Sequence, residues 1–403
     1  MKMIEAVYSK GNIVAKTGNE VVAEALRQIE PDVMAAYPIT PATEIVQIFS
    51  QFVADGVVKS EYVTVESEHS AISAAIAASA AGARAVTSTS SQGLCLMWEM
   101  LYIASGLRLP VIMAEVNRAV SAPININADH SDTMGARDAG WIQMYSENSQ
   151  EAYDNIIQLT KIAEKARLPA LAAMDGFITS HCMEVVETYP DADVKAFVGE
   201  YNPERYLLDV KRPYTLGSID LQDYYFEHRY QLAQAMIDAR SIILDVAKEF
   251  KEAFGREYGF YEKYMFDDAE IAMIIIGSSA GDVKVVVKEL RKKGIKAGLL
   301  KIRVYRPFPT EQIARDLAHV KAIAVMDRSD SCSGAFPPIY SDVVASIYSA
   351  GVLSPKVLSY VYGIGGREFC DEQIVKVYET LGKVASGLEK PSNIIEYMNV
   401  RIK

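Results

Sequence analysis

The chain has 403 residues, of which 50% are hydrophobic and 23% charged, with a net charge of −11 at pH 7. That length holds two or three ordinary domains, each able to bury a core without disulfide or metal staples, and the balance excludes a disordered or collagenous chain. An acidic chain whose basic residues gather only in a short helix end, KELRKKG at 288–294, lacks the footprint that nucleic acid requires.

The N-terminal stretch MKMIEAVYSKGNIVAKTGNE has no apolar leader core, and no run reaches the roughly 18 apolar residues needed to span a bilayer. The expectation is a cytoplasmic protein without membrane contact. Cys95, Cys182, Cys332 and Cys370 stand singly, with no C-x-x-C pair and no histidine at ligand spacing. No metal or iron-sulfur site is expected in this chain.

From residue 15 to about 185, strand-like runs alternate with helices of small residues. VMAAYPI reads as a strand and PATEIVQIFSQFVADG as a helix; between them Pro38 and Pro41 stiffen the backbone around Thr40, and Pro41 suits a first helical turn. YVTVES, RAVTSTS and LPVIMAEV follow as strands, separated by the alanine-rich helix HSAISAAIAASAAGA and the helix LCLMWEMLYIASGL. Such alternation predicts an α/β fold with a doubly wound, mainly parallel sheet, assigned to residues 1–200.

Residues 201–264 differ. The stretch 200–265 carries nine of the chain's 23 tyrosines and then the amphipathic run DARSIILDVAKEFKEAFGREYG. Disordered segments are poor in aromatics, so this predicts an ordered connector packed on a domain or on a partner subunit. A second α/β domain is assigned to 265–403. AEIAMIIIGS reads as a buried strand, AGDVKVVVKELRKKG as a helix, AGLLKIRVYRPFP as one strand closed by prolines, VKAIAVMDRS as a strand, IYSDVVASIYSAG as a helix, and VLSYVYGIGG as the last strand.

Several polar stretches sit where a parallel sheet presents ligands, at the carboxyl ends of strands. Ser90-Ser91-Gln92-Gly93 follows a strand and opens a helix; it is either a polar turn with a serine cap or a seat for an anion or polar ring. VESEHS places Glu66, Glu68 and His69 at the mouth of the alanine-rich helix. Acidic residues there serve the helix dipole, or one is buried with a raised pKa and shares a proton with a ring nitrogen. Arg118, just past a strand, suits a bidentate carboxylate clamp or an ion pair with Asp129, Asp132 or Asp138. NADHSDTMGARDAGW lacks metal-ligand spacing. IIIGSSAG and GIGGRE read as structural strand-to-helix turns, without the pattern of a nucleotide loop.

Together AYPITP (36–41), VESEHSAISAAIAASAAGARA (65–85), SQGLCLMWEMLYIASGLRLP (91–110), NRAVSAPININADHSD (117–132) and RDAGWIQMYSENSQE (137–151), with IIIGSSAG, KIRVYRPFP and GIGGRE, resemble one family. It is the alpha subunit of the 2-oxoacid:ferredoxin oxidoreductases, most closely the pyruvate synthases. The resemblance implies a thiamine diphosphate pyrimidine-binding domain followed by a domain like the C-terminal domain of transketolases. It implies thiamine diphosphate shared with a beta-type subunit. Mg2+ and iron-sulfur clusters fall to the beta-type and delta-type partners, a gamma-type subunit completes the set, and pyruvate, coenzyme A and ferredoxin are the reactants. It matches Glu68 to the carboxyl that bonds the pyrimidine nitrogen and promotes loss of the thiazolium proton, and Arg118 to the residue that binds the substrate carboxylate. Thr40 matches a substrate-contacting hydroxyl, across the cofactor from Arg118. Pro38, Ile39, Ser90, Ser91, Gln92 and Gly93 lie along the cofactor. No G-D-G diphosphate motif is present, since MDGF at 174–177 lacks its first glycine. Alternatives are the same chemistry on 2-oxoisovalerate, oxalate or another 2-oxoacid, or a non-redox thiamine-binding or scaffold subunit.

Overall fold

The computed structural model describes residues 11–391 and 394–401. The first ten residues, half of the stretch read above as lacking a leader core, lie outside the described residues. The strands are β1 (Asn12–Thr17), β2 (Val33–Ala36), β3 (Glu61–Thr64), β4 (Ala85–Thr89), β5 (Ile112–Asn117), β6 (Ile142–Tyr145), β7 (Ala170–Asp175), β8 (Met183–Thr188), β9 (Tyr261–Tyr264), β10 (Ile271–Ile276), β11 (Ala297–Ile302), β12 (Val304–Arg306), β13 (Ala322–Asp327), β14 (Lys356–Val361) and β15 (Glu396–Tyr397).

Two α/β sheets result. The first runs β12-β6-β7-β5-β4-β2-β3 and is parallel except for β12; the second runs β15-β14-β13-β10-β11-β9 and is parallel except for β9. β1 and β8 form a separate antiparallel ribbon, with Asn12 opposite Thr188. In the first sheet the chain leaves β2 outward to β3 and leaves β4 inward to β5, so the loops after β2 and β4 diverge. Strand order reverses there, and in open parallel sheets ligands bind at such a switch point, outside the carboxyl ends of the strands.

One core lies under the helices Gly18–Ile29, Thr43–Ala54, Ser149–Ala166 and Tyr225–Phe254. A second is shared by the two sheets: Met113 and Leu171 of the first pack in one cluster with Ile274, Leu300 and Val325 of the second. Along β10 the pleat sends Ala272, Ile274 and Ile276 to this shared core and Ile271, Met273 and Ile275 to a third, so the strand reads as an unbroken apolar run.

AGLLKIRVYRPFP is not one strand. β11 stays in the second sheet, whereas β12 crosses to the edge of the first, where Val304 pairs with Met144 and Arg306 with Gln143. The break falls at Arg303, which is buried, donates to Asn155 Oδ1 at 2.7 Å and lies over the Tyr258 ring. These anchors, Asn155 of the first domain and Tyr258 of the connector, turn the chain out of the second sheet. The helix expected over LCLMWEMLYIASGL divides at buried Met97 into Ser91–Leu96 and Trp98–Gly106. The connector's helix begins at Tyr225, well ahead of DARSIIL, and buries Leu232, Ala235, Ala239, Ile243, Val246 and Phe250 at helical spacing. Among the described residues no helix is long and apolar enough to cross a membrane.

Candidate functional site

β5, β4, β2 and β3 are consecutive neighbours, so their carboxyl ends bring four of the sequence-predicted stretches side by side: Arg118, Ser90–Gly93, Pro38–Thr40 and Glu68. The two loops that flank the switch point carry Thr40 and Ser90.

Glu68 opens the helix Glu68–Ala81, capped by Ser67, whose hydroxyl accepts the Ser70 amide at 3.2 Å. It shares the buried face with Ala71, Ile72, Ala75, Ile76, Ser79 and Ala80, and is only 7% exposed. Glu66 is exposed and bonded to Ser70, which holds its carboxyl below the usual range. His69 faces outward to Glu99 at 2.8 Å. Among the described residues the Glu68 carboxylate accepts no hydrogen bond. A Cβ at Gly93 would stand 2.9 Å from Glu68 Oε1 and 2.3 Å from Thr89 Oγ1, so only glycine lets the short helix Ser91–Leu96 approach the carboxylate.

Beside it, Thr89 Oγ1, Ser90 Oγ and Gln92 Nε2 are buried without partners among the described residues. Unpaired buried polar atoms are costly and call for an occupant. One unpartnered carboxylate, two hydroxyls and an amide NH2 fit a planar ring carrying both donors and acceptors, such as the aminopyrimidine of thiamine. They do not fit a diphosphate: Ser91 N–H, the first amide of a helix of six residues, already donates to Asp132 Oδ2 at 3.1 Å. Ser91 itself has φ +48° and gives its hydroxyl to Ala119 O at 2.6 Å.

Arg118 is buried. Its Nη1 donates to Thr40 O at 2.9 Å and its Nε to Asn125 O at 3.1 Å, while Nη2 has no partner among the described residues. The guanidinium is therefore fixed by neutral carbonyls and pairs with none of Asp129, Asp132 or Asp138. Thr40 is exposed, as is Pro38, and Ile39 is half-buried; it is the Thr40 carbonyl that meets Arg118. Thr40 and Arg118 are neighbours, where the sequence reading set them on opposite sides of a cofactor. Gly176 closes the wall, since a Cβ there would lie 2.5 Å from Asn117 O and 2.8 Å from Pro41 Cγ.

Residues outside the sequence-predicted set hold these loops. Asp132 Oδ2 accepts the amides of both Ser91 and Arg118, and Oδ1 accepts Asn117 Nδ2 at 2.8 Å and Thr133 N at 2.7 Å. Burial pushes its pKa up to about 6, against those donors. Glu115, wholly inside β5, is pushed far above the carboxylate range by burial and by the adjacent Asp132. From sequence Asp132 stands only as a candidate ion-pair partner of Arg118, and the signal for Glu115 is a glutamate inside an otherwise apolar strand, IMAEVN.

A second buried cluster joins the sheets. Asp175, at the end of β7, accepts from Ser278 N at 2.9 Å, from Arg328 Nη1 at 2.9 Å and pairs with His130 Nε2 at 2.7 Å. Burial alone would raise this carboxyl, but Arg328, His130 and Ser278 outweigh it and hold it far below the usual range. The turn of IIIGSSAG thus clamps an anion that belongs to the chain itself. Glu147, Glu151 and Glu262 also converge, around the ammonium of Lys301 at 2.5–2.9 Å.

Residues 24–248 match the family model described as pyruvate flavodoxin/ferredoxin oxidoreductase, thiamine diphosphate-binding, and residues 269–374 match pyruvate:ferredoxin oxidoreductase core domain II. The chain is 53% identical over 368 residues to pyruvate synthase subunit PorA of Thermotoga maritima, covering 91% of this chain and 93% of that one. It is 41% identical over 369 residues to ketoisovalerate oxidoreductase subunit VorA of Pyrococcus abyssi, covering 91% and 93%. In structure it is similar to a 2-oxoglutarate:ferredoxin oxidoreductase from Magnetococcus marinus, with TM-score 0.72, 19% identity, and coverage of 92% of this chain and 65% of that one.

Proposed function

The chain belongs to the pyruvate flavodoxin/ferredoxin oxidoreductase family, and from that premise we propose that it is the alpha-type subunit of a pyruvate synthase. The assembled enzyme converts pyruvate and coenzyme A to acetyl-CoA and carbon dioxide, passing two electrons singly to two ferredoxins and releasing one proton; the same steps run in reverse for synthesis. Thiamine diphosphate, when bound, supplies the centre that stabilises the carbanion left by decarboxylation. Its diphosphate and Mg2+ are held by a beta-type subunit, and the iron-sulfur clusters lie in beta-type and delta-type subunits, with a gamma-type subunit completing the enzyme.

The observation that carries this reading is the buried, unpartnered Glu68 carboxylate beside the Gly93 seat. In a site closed to water, that carboxyl holds a proton against the pyrimidine nitrogen of the cofactor and fixes the ring's tautomer. Ser90 Oγ and Gln92 Nε2 orient the same ring, with Ser91 and Gly93 shaping its seat and Pro38 and Ile39 its edge. Arg118 is preorganised by the Thr40 and Asn125 carbonyls, so its free Nη2 face meets the carboxylate of a 2-oxoacid without first breaking an ion pair. Thr40 lies at the same carboxylate.

The identity to a pyruvate synthase subunit favours pyruvate, and the identity to a ketoisovalerate oxidoreductase subunit keeps a branched acid as the second reading. Assay of the assembled enzyme with pyruvate, 2-oxoisovalerate, oxalate and 2-oxoglutarate separates them by kcat/KM. Pyruvate is expected to lead by at least about tenfold, a difference of about 1.4 kcal/mol. A higher kcat/KM for 2-oxoisovalerate would replace the first reading with the second.

A further inference from the structure

We propose that the glycine loop Gly363–Gly366, which follows β14 in the second sheet, sets the geometry of the Arg118 clamp in the first. The loop is a positioning element rather than a turn that merely closes its own domain, and the proposal rests on Arg118 as the carboxylate clamp.

The contact runs through the segment that follows Arg118. Gly365 O accepts Asn125 Nδ2 at 3.0 Å, and Gly365 N donates to Asp129 Oδ2 at 2.9 Å. Asn125 and Asn127 pass this on: Asn125 O receives Arg118 Nε at 3.1 Å, Asn127 O receives Ala119 N at 3.0 Å, and Asn125 Oδ1 accepts the Asn127 amide at 2.7 Å. Between buried Ala119 and buried Ala128 the segment has no buried residue. Residues 121–124 are exposed, with Ile124 78% so, and Ile126 and Asn127 are exposed as well. The stretch 120–127 takes its shape from polar tethers: Val120 N donates to Ser131 Oγ and Ala119 O accepts Ser91 Oγ at its start, while those at Asn125 and Asp129 lead to Gly365.

The glycines are required at that contact. Gly365 and Gly366 have φ of +61° and +77°, and a Cβ would stand 2.6 Å from Asn125 Nδ2 at the first and 2.4 Å from Asn127 Cβ at the second. Two side chains of the clamp segment are thus packed directly against the glycine backbone. A methyl at 366 displaces Asn127, and with it the carbonyl that holds Ala119 beside Arg118.

The test uses the assembled enzyme with pyruvate and the isolated chain for hydrogen exchange. Gly366→Ala is expected to raise KM for pyruvate about tenfold, from the loss of one or two tethering hydrogen bonds, with kcat within about twofold and KM for coenzyme A unchanged. Backbone exchange at Ala119 should quicken in the free chain. Adding Asn127→Gly removes the atom the methyl strikes, so Gly366→Ala/Asn127→Gly should recover most of the loss. The strain of a positive φ is common to both variants, and Asn127→Gly alone serves as control. Asn125→Ala, which introduces no clash, should raise KM in the same way should Gly366→Ala fail to fold. Unchanged KM and unchanged Ala119 exchange in Gly366→Ala and Asn125→Ala would overturn the proposal, as would a double variant no better than the single. Arg118→Ala separates the two levels. If it leaves KM for pyruvate unaltered, the clamp reading itself is wrong; if it raises KM while the loop variants do not, only the present inference is lost.

Discussion

Among single residues, the proposed role of Glu68 rests on one carboxylate, buried at the head of an apolar helical stripe. Glutamine at this position keeps the shape that fits over Gly93 but cannot carry the proton. Glu68→Gln should therefore leave thiamine diphosphate binding to the assembled enzyme within a few fold, while slowing exchange of the cofactor's thiazolium proton about a hundredfold or more. Exchange at the wild-type rate, followed by NMR in deuterated buffer, would remove Glu68 from that role. Glu66 provides the contrast: two residues earlier, it is exposed and bonded to Ser70, so the same substitution there should do little. The choice between the two was legible in sequence, because Glu68 falls in register with Ala71, Ile72, Ala75 and Ile76 and Glu66 does not. Asp132 was not legible in this way. Its importance comes from accepting two amides 27 positions apart, Ser91 and Arg118, which only the parallel pairing of β4 with β5 brings together.

Elements carry a different lesson, which the joint between the sheets shows best. Asp175 ends β7 of the first sheet, yet its carboxylate is held by Ser278 after β10 and Arg328 after β13 of the second. Asp175→Asn leaves the Arg328 guanidinium buried beside a neutral amide and should destabilise the fold by about 3–5 kcal/mol, read from denaturant unfolding. The pH dependence has a definite sign. The folded carboxyl lies below its unfolded value of about 3.9, so its contribution is present above that pH and is lost as the pH falls further. The acid limb of the stability curve should accordingly be shallower in Asp175→Asn, and equal limbs would show that the charge is not what joins the sheets. Periodicity and strand-to-helix alternation made β2, β4, β5, β10 and β13 readable from sequence, since each is a short run of apolar or β-branched residues bounded by turns. They could not say that the strand spelled KIRVYR divides between two sheets, nor that GSSAG grips a carboxylate from another domain. Local patterns report which face of an element is buried; which neighbour buries it depends on contacts more than a hundred residues distant.

For the whole molecule, the proposed site is a surface of one sheet. Its predicted residues line the carboxyl edge of a single sheet, and Pro38 and Thr40 remain exposed there. Nothing on that surface is arranged for a diphosphate, since Asp132 occupies the Ser91 amide. Elsewhere the 201–224 segment leaves large apolar side chains uncovered, with Val210 88% and Ile219 92% exposed, as a chain does when part of its surface is completed by other subunits. A surface that seats a ring but not its charged tail should bind the cofactor weakly and turn nothing over. The purified chain, given thiamine diphosphate, Mg2+, pyruvate and coenzyme A, is therefore expected to reduce no methyl viologen, and calorimetry should place its affinity for thiamine diphosphate at least about a hundredfold below that of the assembled enzyme, or about 2.7 kcal/mol. Adding the partner subunits should restore both together, because the proposed diphosphate site lies on them and completes the cofactor's seat. Turnover by the chain alone would mean that the missing half of the site is within it, and the division of labour argued from Glu68, Ser91 and Asp132 would have to be abandoned.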